Sequence, residues 1–182
     1  SYFDEMLADL SFQAKASINI QLLEKMIDSY QSSGKSLESF VKSYKWVLIA
    51  DEFSGDIIKF RRAFNYHDVF LVSQGGDILY TVTGENHFGI NLFFGAYKST
   101  KLAMACKKTA ETGEPAFSDY AQCHSAGKRV FGYFTVPVAN QEGGRIGVMV
   151  FQFTIEPINA IMQADLGLGK TAETYIVGPD LT

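Results

Sequence analysis

From residue 2 to residue 30, apolar side chains recur at steps of mostly three and four residues: Phe3, Leu7, Leu10, Ala14, Ile18, Leu22, Met26 and Tyr30. That spacing draws one continuous stripe at 3.6 residues per turn and predicts a long amphipathic helix. Gln31-Ser32-Ser33-Gly34 breaks the pattern, with Gly34 suited to a helix C-terminus. A second helix is expected after Ser36, burying Leu37, Phe40, Val41, Tyr44, Val47 and Leu48. A third, short helix, capped by Asp51 or Ser54, carries Phe53, Ile57, Phe60 and Phe64.

At Asp68 the period changes. Residues 68–73 and 77–83 are rich in β-formers and are joined by Gln74-Gly75-Gly76, which predicts a hairpin. Residues 99–112 return to helical composition and stop at Gly113. Three β-rich runs follow at 116–121, 129–139 and 145–155, the last two linked through Gly143-Gly144. A short helix over 157–165 opens with Pro157, and 173–177 resembles a further strand. This order predicts an α+β fold: N-terminal helices, then a five-stranded antiparallel sheet with its helices on one face. On 129–139, alternation puts Phe131, Tyr133 and Thr135 on one side and Phe134, Val136 and Val138 on the other. On 145–155, Gln152 shares a side with Val148, Val150 and Thr154, opposite Met149, Phe151 and Phe153.

Composition narrows the function classes. The 182 residues are 47% hydrophobic, enough for a sizeable core, and the net charge of −4 provides no basic footprint for nucleic acid. The longest apolar runs, 46–50, 69–72 and 148–151, fall far short of the roughly 18 residues of a membrane span. No basic stretch followed by an apolar run marks a signal peptide at the N-terminus. The chain reads as a fragment cut from between membrane anchors. Cys106 and Cys123 fit either a disulfide or two buried thiols.

Candidate chemistry is sparse. The string at 164–171, Ala-Asp-Leu-Gly-Leu-Gly-Lys-Thr, has Ala164 where a phosphate-binding loop needs its first glycine, and it follows a helix instead of a strand. Cys123-His124 lacks the second cysteine of a haem-attachment motif, since Tyr120 stands in its place. His67, His87 and His124 are scattered, so no metal site is expected. No cofactor and no catalytic constellation is expected either, and the chain does not read as an enzyme. Asp119, beside Ser118, is expected to bond backbone N–H groups of the next loop.

The order of motifs from Tyr66 onward resembles the Cache (PAS-like, double-Cache type) sensor domains of methyl-accepting chemotaxis receptors and sensor histidine kinases. It rests on Tyr-His-Asp-Val-Phe-Leu-Val at 66–72, Gly-Asp-Ile-Leu-Tyr at 76–80 and Phe-Gly-Ile-Asn-Leu at 88–92. Phe-Ser-Asp-Tyr at 117–120, Pro137-Val138 and Gly-Val-Met-Val-Phe-Gln at 147–152 continue it, followed by 158–162 and 167–178. The resemblance implies a stalk helix and helical segment over 1–65, a sensor lobe over 66–165, and a connector with the first strand of another lobe over 166–182. It also implies a periplasmic or extracellular portion of an inner-membrane protein, anchored in the membrane and paired as a homodimer through its N-terminal helix. Its partner would be a small-molecule ligand such as an amino acid or organic acid. Tyr133, Thr135 and Gln152 are the expected pocket residues on the strands, with Tyr80 from the first hairpin and Phe88, Asn91 and Tyr97 from the covering loop. The competing expectations are a haem- or redox-sensing domain through Cys123, and a dimerisation scaffold without a ligand.

Overall fold

The computed structural model describes residues 2–85, 88–122 and 130–154. The 173–177 strand, the 157–165 helix, the 164–171 string, the connector over 166–182 and the Cys123-His124 pair lie outside them, as does His87.

The N-terminal stripe folds as two helices, α1 (Tyr2–Lys15) and α2 (Ser17–Ser33). The break is at Ala16, whose backbone is extended (φ −63°, ψ 127°). At the end of α1 the Gln13 carbonyl accepts from the Ala16 N–H at 3.2 Å and from the buried Asn19 side chain at 2.9 Å. The break lets α1 run along one strand of the sheet while α2 crosses others. Gly34, in the left-handed region at φ 66°, ends α2 as its sequence position suggests.

The expected second helix also divides, into α3 (Leu37–Val41) and α4 (Tyr44–Phe53). Ser36 and Ser43 each accept a hydrogen bond from a backbone N–H three residues on, so each starts its own helix. The restart at Ser43 turns the face of α4. Ile49 and Ala50 are buried, whereas Tyr44, expected inside, is 76% exposed, with Val47 and Leu48 also exposed. Helix α5 (Gly55–Ala63) buries Ile57 and Phe60 and leaves Phe64 outside, stacked on Phe60.

Five strands follow: β1 (Asp68–Ser73), β2 (Ile78–Thr81), β3 (Ala116–Gln122), β4 (Val130–Ala139) and β5 (Arg145–Thr154). Helix α6 (Lys101–Thr112) sits between β2 and β3, capped by Thr100 and ended by Gly113 at φ 72°. All pairings are antiparallel, in the order β2-β1-β5-β4-β3. The fold is α+β and PAS-like, as its sequence order implies.

The helices, however, are divided between the two faces. Val69, Leu71, Phe134, Val136, Met149 and Phe151 pack with Leu10, Leu22, Leu23, Met26 and Phe40 of the N-terminal helices. Phe70, Val72, Phe131, Tyr133, Val148 and Val150 pack with Leu102, Ala103, Cys106 and Ala110 of α6. A sheet covered on both sides explains why β1 and β2 are apolar without interruption at Val69–Val72 and Ile78–Tyr80: neither face meets water. Each large side chain so buried contributes about 1.5–3 kcal/mol.

The tightest point of the central ladder is Gly147, which pairs with Ser73 of β1 and Val138 of β4. A Cβ there would run into the Val72 carbonyl oxygen, a backbone atom that cannot turn aside. Gly147→Ala is therefore expected to destabilise the fold by at least about 3 kcal/mol, read as a lower urea midpoint with an unchanged slope.

Candidate functional site

Residues opposite each other in an antiparallel pair point to the same face. On the α6 face this builds a transverse row across four strands: Ser118 (β3) opposite Tyr133 (β4), Tyr133 opposite Gln152 (β5), and Gln152 opposite Asp68 (β1). All four are at most 5% exposed, in a face otherwise lined by apolar side chains. A polar group held there must find a partner inside or lose the hydration it had in the unfolded chain.

Each member meets that demand differently. The Gln152 amide donates to the Tyr133 hydroxyl at 3.4 Å, a long bond. Asp68 accepts from the backbone N–H groups of Val69, Val82 and Thr83 at 2.7, 3.0 and 3.1 Å, and from the Thr83 hydroxyl at 2.6 Å. It clamps the start of β1 to the end of β2, the role expected of Asp119, whose side chain is outside the described structure. Burial pushes the Asp68 carboxyl above its ordinary range, against the opposing pull of those hydrogen bonds. The Ser118 hydroxyl is buried and has no hydrogen-bond partner among the described residues.

One step along the strands, Thr135 is fully buried and fully engaged. Its hydroxyl is 2.7 Å from that of Thr109 on α6, and it also reaches the Ala116 carbonyl at 3.2 Å. Thr135 therefore anchors α6 to the sheet. Cys106 lies in the same packing, a free thiol that burial pushes well above its usual range, which makes it a packing residue and not a nucleophile.

The structure thus brings Tyr133, Thr135 and Gln152 together on one face, as the alternation predicts. Tyr80 and Phe88 are elsewhere: both pack against Trp46 on the N-terminal helices' face, with ring centroids 5.8 and 5.0 Å away. The reason is the pairing of Tyr80 with Leu71, which turns its ring away from α6. The Trp46 indole N–H donates to the Leu79 carbonyl at 2.7 Å and fixes this aromatic group. Asn91 is a staple: its amide donates to the Gly75 carbonyl and to Asp77, and its oxygen accepts from the N–H groups of Phe93 and Phe94. Tyr97 lies on the approach to α6, 37% exposed, with its carbonyl bonded to Thr100. Asp68 and Ser118 were not singled out from sequence. A charged residue opening an apolar run was the available signal for Asp68; nothing local marked Ser118, because its importance comes from its cross-strand neighbours.

A separate groove of about 590 Å³ lies between the α1–α2 junction and the β4–β5 turn. Lys15, Glu24, Asp28 and Glu142 line it together with Ile20 and Ile146, and none of the seven expected residues does. Among the described residues no His, Cys, Asp or Glu cluster could hold a metal, and no helix is long and apolar enough to cross a membrane.

No family model matches the chain, and no curated protein matches it. Solved structures resemble it in shape. The sensor domain of the histidine kinase DctB from V. cholerae aligns at 16% identity and a TM-score of 0.46, over 76% of this chain and 50% of that one. The ligand-binding domain of the Pseudomonas aeruginosa amino-acid chemoreceptor PctC, solved with GABA, aligns at 12% and 0.46, over 90% and 69%. That of Campylobacter jejuni chemoreceptor Tlp3, solved with 4-methylisoleucine, aligns at 14% and 0.46, over 81% and 64%. This chain spans half the length of the DctB sensor domain.

Two outcomes are expected. Thr135→Val should cost about 1–2 kcal/mol, and adding Thr109→Val should cost less than the sum, because the second change removes the hydroxyl that the first strands. A double-mutant cycle in urea reads this coupling. Asp68 binds its proton more tightly in the folded chain, so its contribution is full below the ordinary value of 3.8 and is lost as pH rises through the elevated folded value. The stability of the wild type relative to Asp68→Asn should fall over that interval, measured by denaturation at a series of pH values.

Proposed function

We propose that this chain is the ligand-sensing lobe, with its stalk, of an extracytoplasmic receptor, and that it takes a small metabolite against the α6 face of its sheet. The carrying observation is the buried polar row of Ser118, Tyr133, Gln152 and Asp68 across four strands of an otherwise apolar face. Ligand sites are mostly apolar with a few placed polar groups, which is the composition of this face. The sequence resemblance to Cache sensors supports the receptor context, and with it membrane anchoring and pairing through the N-terminal helices. Nothing in the row suits bond-breaking chemistry: it holds no activated nucleophile and no base beside one.

A thermal-shift screen with amino acids, carboxylic acids and amines tests the reading, since a ligand that binds only the folded chain raises its melting temperature. For a compound that does so, Tyr133→Phe and Gln152→Leu should each weaken binding roughly tenfold by calorimetry, about one hydrogen bond. Tyr80→Phe, on the opposite face, should leave affinity unchanged. Equal losses from all three substitutions, or no shift by any compound, would remove the α6 face as the site.

A further inference from the structure

Ser118 is 5% exposed, and its buried hydroxyl has no hydrogen-bond partner among the described residues. Leaving a hydroxyl so placed is unfavourable, and an alanine would avoid the cost. Its surroundings offer a reason. Ser118 stands directly opposite Tyr133, which stands opposite Gln152, so three neutral hydrogen-bonding groups line up on adjacent strands. The next polar side chain along β4, Thr135, is by contrast already bonded to α6.

The electrostatics of the face restrict what can be received there. The described strand residues directed toward α6 include one carboxylate, Asp68, and one cation, Arg145, which lies at the other end of β5 from Gln152 with its guanidinium bonded to the Glu111 carbonyl of α6 at 3.0 Å. Asp68 is committed to four hydrogen bonds at the end of the row. An incoming carboxylate or phosphate would be stripped of water beside that group, while Arg145 is engaged at the far end of the strand. An uncharged group that both donates and accepts would meet the serine hydroxyl, the phenol and the carboxamide at no such penalty.

We infer that Ser118 is the specificity-determining residue of this face, its hydroxyl kept unpaired to bond an uncharged hydroxyl or carboxamide group of the ligand. This rests on the α6 face being the binding face, and the tests separate the two. The first needs no ligand. Ser118→Ala, and Ser118→Cys, which keeps the volume but bonds weakly, are compared with the wild type by melting of the full chain. A hydroxyl held for a ligand predicts a rise of roughly 2–6 °C in at least one of them. A fall in both identifies a structural hydroxyl and overturns the inference, whatever becomes of Tyr133 and Gln152.

The second test uses matched probes at millimolar concentration: propionamide against propionate, and butyramide against butyrate. At least one amide should raise the wild-type melting temperature more than its acid does, and Ser118→Ala should abolish that difference. Larger shifts from the acids, no shift from either amide, or a difference that survives in Ser118→Ala overturns the assignment. A broad screen in which other compounds bind, with Tyr133→Phe and Gln152→Leu weakening them, would leave the face standing and remove only the role of Ser118.

Discussion

A β-sheet covered on both faces has no dry side and wet side, so every polar side chain in its strands must be satisfied by the protein or by something the protein binds. In this chain α1–α5 cover one face and α6 the other. The five strands between them are apolar for most of their length. The polar exceptions are consequently informative one by one. Thr135 is spent on holding α6, Asp68 on fastening β2 to β1, and Asn91 on the turn that leads from β2 toward α6. The Gln152 amide donates to the Tyr133 hydroxyl through a long bond, and the Ser118 hydroxyl has no hydrogen-bond partner among the described residues. That sorting separates the residues that complete the fold from Ser118, whose hydroxyl is left over among the described residues.

The same alternation puts the two faces within one residue of each other. Tyr133 is followed by Phe134, whose ring packs near Phe3 of α1 and against Phe117 and Phe153. Gln152 is flanked by Phe151 and Phe153, and Phe151 packs edge-on to Phe60 of α5. Close-packed aromatic contacts of this kind do not absorb displacement softly. The break at Ala16 puts α1 on β4 and lets α2 cross to β1, β2 and β5.

Much of this was legible in the residues. The change of period at Asp68, the glycine-marked turns and the split of Phe131, Tyr133 and Thr135 from Phe134, Val136 and Val138 follow from local chemistry and from alternation within a strand. What misled was range. One apolar stripe from Phe3 to Tyr30 is compatible with one helix or with two on the same side, and the difference lies in the extended backbone of the single residue Ala16. Tyr44, Val47 and Leu48 continue the stripe of Leu37 and Phe40 only if the helix does not restart, and Ser43 restarts it.

Sequence alone determined the class of fold, the five strands of the described sheet and which residues share a side of each strand, because those depend on periods of 2 and 3.6 within short segments. Tertiary structure alone decided that the helices take both faces, that Tyr80 and Phe88 belong with Trp46, and that Ser118 and Asp68 join Tyr133 and Gln152. Register between strands far apart in the chain sets these neighbours, and no single segment carries it.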